Sequence, residues 1–186
     1  MSRCFLHLVL AAGVLAGVPA AGNERPSRPA VVSEKPQPAV AEGIGLLREL
    51  ERLLRAKDAE GVRQMFLVSK QPDARDKLDT FAEEVRRGAL ADARVVPLEG
   101  KVDGPVVCVF AAFVMNPDDR RPDVEPCLFV RREGKLRLLH DAKPKNAKTI
   151  MNAEERAATD RLAKWADEWR EANEETIPER VRGGKS

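Results

Sequence analysis

Histidine is scarce in this chain: 186 residues hold only His7 and His140. Proton transfer near neutral pH is most readily run by imidazole, so general acid–base catalysis has little to draw on. Cysteine is as rare. Cys4, Cys108 and Cys127 stand too far apart for a metal knuckle, so neither a metal nor a cofactor is expected. There is no glycine-rich phosphate loop, and the serines beyond the leader, Ser27, Ser33, Ser69 and Ser186, sit in no nucleophile elbow. Charge of one sign is missing too. The 32 basic and 30 acidic residues are intermixed, and the pairs Arg86-Arg87, Arg120-Arg121 and Arg131-Arg132 have no interleaved aromatics. A nucleic-acid partner is therefore not expected, nor membrane association beyond the leader. Internal repeats are absent.

What is present begins with a leader. Arg3 precedes an apolar run from Phe5 to Val18, closed by Pro19 and followed by Ala20 and Ala21. That is the three-part secretory signal, expected over residues 1–21 with cleavage after Ala20 or Ala21. The run is shorter than the roughly 20 residues a spanning helix needs, which leaves an uncleaved N-terminal anchor as the alternative. Cleavage would leave a secreted or periplasmic protein. It removes Arg3, Cys4 and His7 and no acid, leaving 31 basic against 30 acidic residues.

Residues 22–41 carry Pro26, Pro29, Pro36 and Pro38 among polar residues and read as a disordered tether. The domain is expected over 42–148. Ile44, Leu47, Leu50 and Leu54 recur at helical spacing, and Asp58 is a natural N-cap for a short helix from Ala59 to Phe66. A third helix runs from Asp73 to Arg87, with Leu78, Phe81, Ala82 and Val85 on one stripe before Gly88. Three helices are thus expected before any strand. The period then becomes that of strands: Ala93–Leu98, Val106–Met115, Pro126–Arg132 and Lys135–His140, with turns at Gly100–Pro105, Asn116–Asp119 and Glu133-Gly134. The stretch from Val106 to Met115 is apolar on both faces and should be a central strand, covered by helices on one side and further chain on the other.

Residues 149–178 hold a last helix, opened by Asn152 and Glu155 as a capping box. Its stripe is Ala158, Leu162, Trp165, Trp169 and Ala172, Pro178 ends it, and 179–186 read as a disordered tail. The fold class is α+β: N-terminal helices on a curved antiparallel sheet of about four strands, with an added C-terminal amphipathic helix.

Two passages carry a resemblance. Leu47–Ser69, an amphipathic helix running through Asp58-Ala59 into a short second helix, resembles the opening of nuclear transport factor two-like domains. Cys127–Asp141, whose charged turn holds Gly134-Lys135, resembles their final hairpin, although Leu136 stands where a tryptophan commonly follows. The resemblance covers about residues 43–142. It implies a cone, a bent sheet wrapped around helices, whose pocket some relatives use for catalysis and many for binding or dimerisation.

Against that frame the chemically interesting residues are few. His140 is the weak catalytic candidate, beside Asp141; adjacent strand residues point to opposite faces, so a surface or strand-end histidine is the expected state. A hairpin turning about Asp119–Arg121 sets Cys108 opposite Arg131 or Arg132, so Cys108 and Cys127 are expected buried and unbridged; a turn at Pro117-Asp118 would instead allow a disulfide. Trp165 and Trp169 are the weak binding candidates. They are expected to dock on the domain's own sheet, closing the open face of the cone, with a partner-binding helix as the alternative. The functional expectation is an exported, non-catalytic module for a small ligand or a protein. An isomerase or dehydratase using the cone interior, with His140 or a buried Asp as base, is one rival, and a structural homodimerisation domain another.

Overall fold

The computed structural model describes residues 37–115, 122–140, 149–177 and 181. The signal segment, nearly all of the tether, Pro178 and the tail apart from Val181 lie outside the described residues.

Four helices and five strands follow in the order α1 (Pro38–Ala56), α2 (Ala59–Met65), β1 (Phe66–Leu67), α3 (Pro72–Arg87), β2 (Arg94–Asp103), β3 (Val106–Val114), β4 (Asp123–Arg132), β5 (Lys135–Leu139) and α4 (Ala153–Asn173). Helix α1 starts inside the expected tether. Pro38 occupies the first turn, where its missing N–H costs nothing, and Gln37 before it is outside the helical region. Pro72 opens α3 in the same way. Asp58 caps α2 as expected, accepting from Gly61 N at 2.8 Å.

The sheet is curved and open, with strand order β1-β5-β4-β3-β2. Strand β1 corrects two expectations, that three helices precede any strand and that Phe66 closes α2. Phe66 and Leu67 pair in parallel with Leu138 and Leu139. Strand β2 also runs through the expected Gly100 turn to Asp103, with its register shifting between Pro97 and Gly100. The glycine is needed there for contact: an added Cβ would sit 2.7 Å from a Val40 methyl and 2.9 Å from the Cys108 carbonyl oxygen. The turn itself is at Gly104-Pro105. Strand β4 starts three residues before the expected Pro126, at Asp123.

Alternation along β3 sends Val107, Val109 and Ala111 to one face, where they join Cys127, Phe129 and Leu138 against Leu47, Leu50 and Leu54 of α1, Val62 of α2 and Leu78 and Val85 of α3. Val106, Cys108, Phe110, Ala112 and Val114 face the other way, against α4 and the chain around it. The two-faced apolarity of β3 is thus met by cover on both sides. Helix α4 lies on the sheet face away from α1–α3, so it does not close the open face of the cone as expected. Of the tail expected to be disordered, the one described residue, Val181, is 5 % exposed and packs with Phe110 and Trp169.

Candidate functional site

The cone's inner face decides whether there is room for chemistry. Between α1–α3 and the sheet the described residues form a buried apolar core, with Leu47, Leu50, Leu54, Val62 and Phe129 all buried there. Polar groups occur on this face toward the end of β4. Glu125 lies opposite Ala111 and Cys127 opposite Val109, placing both on the inner face two residues apart. His140 stands at the strand end expected, directly after Leu139 of β5, but it is not at the surface. It is 4 % exposed, with its ring edge-on to Phe66 at 5.3 Å, and its backbone N–H donates to Leu67 O at 3.0 Å. The reason is β1, which adds a fifth strand alongside β5 and brings Phe66 over the histidine. Asp141, its neighbour, lies outside the described residues.

Glu125 is the inner-face ionisable group that sequence reasoning missed. Taking β4 to start at Pro126 left Glu125 in a loop; alternation back from Cys127 would have turned it inward. Burial pushes its carboxyl up to about 7, against the nearby Arg170 charge and assisted by repulsion from Asp123. The fold therefore favours the neutral acid. Between pH 4.5 and 7 the folded state holds more proton than the unfolded one, so this group's contribution to stability falls as pH rises through that window. Because Glu125 is only half-buried, solvent screening cuts the effect to about 1 kcal/mol. Denaturant titrations at pH 5 and pH 8 should show Glu125→Gln lacking that component; equal pH dependence in both proteins would refute the assignment.

Neither cysteine is bridged. The expected register is nonetheless displaced. Cys108 pairs with Leu128 and Cys127 with Val109, one residue from the face-to-face arrangement. That single step puts the thiols on opposite faces of the sheet, where no disulfide can form. Burial raises Cys108 to about 12 and lifts Cys127 further, so neither is an activated thiolate.

Trp169 docks on the sheet. Its ring stacks on Phe110 with centroids 4.0 Å apart and planes 18° apart, and its Nε1 donates to Glu99 Oε2 at 2.8 Å. Trp165 is half-buried, 5.6 Å from Phe110, with the Lys101 ammonium 5.7 Å from its ring centroid. Ala172, expected on the same stripe, is exposed.

Among the described residues, an open concavity lies outside the space between α1–α3 and the sheet. A groove of about 500 Å³ runs between α1, α2 and the β4–β5 hairpin. Leu46, Leu53, Met65 and Leu136 give it apolar walls, and Glu42, Glu49, Arg52 and Lys135 bring charge to it. Its acids are already engaged: Glu42 pairs with Arg131, Glu49 with Arg52, and Asp58 caps α2. No sequence signal marked this groove, since its lining comes from elements far apart in the chain. Among the described residues no His, Cys, Asp or Glu cluster could hold a metal, and no helix is long and apolar enough to cross a membrane.

No family model matches the chain, and no curated protein does. Among solved structures, a Campylobacter jejuni protein described as an NTF2-like transpeptidase is similar to 51 % of this chain and 94 % of its own, at 14 % identity and a TM-score of 0.38. The expected α+β class with a curved sheet and a C-terminal helix is what the structure shows.

Proposed function

We propose that this protein is an exported, non-catalytic binding module for a small ligand or a protein, and that its binding surface is the groove between α1, α2 and the β4–β5 hairpin. The observation that carries the reading is the groove itself, open and with apolar walls, set beside a core between helices and sheet in which the described leucines and Phe129 are buried. Export rests on the signal pattern of residues 1–21. Screening a fragment and peptide library by amide NMR should give shifts clustered at Leu53, Met65 and Leu136. Ligands that shift other surfaces and leave these three unmoved would overturn the reading.

One observation favours a pocket enzyme of isomerase or dehydratase type. Glu125 and His140 both belong to the inner-face side of the sheet, and Glu125 titrates near neutrality. Fragment shifts confined to Phe113, Glu125 and Cys127 would favour it. The homodimer reading called for a flat apolar sheet face, and the face away from α1–α3 is occupied by α4.

A further inference from the structure

Strand β5 is longer than the strand beside it. On one side it pairs with β4 from Lys135 to Leu138, but on the other β1 covers only Leu138 and Leu139. The β4–β5 turn fixes which backbone groups face that uncovered edge. Glu133 and Gly134, both at positive φ, form a two-residue turn closed by Arg132 and Lys135. The pair closing such a turn exchanges hydrogen bonds, so Lys135 and Arg137 direct their N–H and C=O to β4, while Leu136 and Leu138 direct theirs outward. The bond from His140 N–H to Leu67 O, two residues beyond Leu138, has the same phase. Among the described residues no strand lies beside Leu136.

That edge lies along the groove, whose lining includes Gly134, Lys135, Leu136 and Arg137. The cations at this edge are less committed than the groove's acids. Lys135 makes no ion pair among the described residues, and Arg137 donates through one nitrogen to Gln64 O. We infer that the groove takes an extended acidic segment of another protein, which pairs with the Leu136 backbone as a strand continuing the line of β1 and sets a carboxylate against Lys135. This rests on the reading of the groove as the binding surface, and it adds main-chain pairing as the source of affinity and charge as the source of selectivity.

The test uses the full chain and a blocked octapeptide of alternating valine and glutamate, with the valine–lysine version as control. In the free protein the Leu136 amide should exchange at least tenfold faster than that of Arg137, whose N–H is bonded to β4. Saturating valine–glutamate peptide should slow Leu136 at least tenfold, and Lys135→Glu should weaken that peptide about fivefold while leaving the thermal midpoint in place. A Leu136 amide already slow in the free protein means the chain covers its own edge, and the proposal falls. Protection that grows with protein concentration alone points to a second copy and overturns it too. If Leu136 stays fast while library fragments still shift Leu53 and Met65, the strand-addition idea fails and the groove reading stands. If neither fragments nor peptide shift the groove, both fail.

Discussion

Trp169→Ala should cost about 3–5 kcal/mol in denaturant unfolding, the largest single-residue loss expected on the outer face of the sheet. Trp169 is 5 % exposed, and its ring covers Phe110, which is fully buried, in a near-parallel stack. Truncation removes that contact, leaves a cavity under α4 and takes away the indole donor to Glu99. Trp169→Phe keeps an aromatic ring on Phe110 and loses the bond to Glu99, so it should cost about 1 kcal/mol. Trp165→Ala should fall well below Trp169→Ala, since Trp165 is half-buried and meets Phe110 only at a tilt. Were α4 held out for a partner instead, Trp169→Ala would leave the unfolding midpoint nearly unchanged.

Much of this packing is written in local patterns. The unbroken apolarity from Val106 to Val114 demanded cover on both sheet faces, and α4 supplies the second cover. Asp58 and the pair Asn152 and Glu155 announced two helix starts, because capping needs only a short polar side chain at a fixed offset. What escaped reading depends on distant partners. Phe66 continues the apolar spacing of α2, and only its pairing with Leu138 makes it a strand residue. Gly100 carries the composition of a turn but serves close approach of Val40 to β2. Whether Cys108 meets Cys127 depends on one residue of register, which neither strand's own sequence specifies. The groove is harder still, because its free edge exists only through the difference in length between β1 and β5.

Removing the carboxylate of Glu155 should be nearly as costly as losing Trp169, for an electrostatic reason. Glu155 is 2 % exposed and does two jobs. Its carboxylate pairs with Arg132 of β4, Nη2 to Oε2 at 2.8 Å, and accepts from the Asn152 N–H at 2.9 Å to close the capping box of α4. Arg132 also donates to Ile150 O at 2.7 Å, so one ion pair ties the start of α4 and the chain before it to the sheet. Glu155→Ala leaves the guanidinium without its counter-charge and opens the cap. The expected loss is about 3 kcal/mol, the low end for a broken buried pair because Arg132 keeps two carbonyl acceptors and some solvent. The hydrogen bond from Arg132 holds the Glu155 carboxyl below its ordinary 4.5. A depressed folded value means the contribution is present above pH 4.5 and lost as pH falls through the folded value, so acid should loosen α4. Glu155→Gln keeps an acceptor for Asn152 but not the charge, and its unfolding free energy should be flatter than wild type across this acidic range. Arg132→Met combined with Glu155→Met should recover most of the stability lost in Glu155→Ala, because two apolar side chains leave no uncompensated charge. A double variant as unstable as Glu155→Ala would place the cost in the capping box, and equal acid sensitivity in wild type and Glu155→Gln would remove the ion pair from the account.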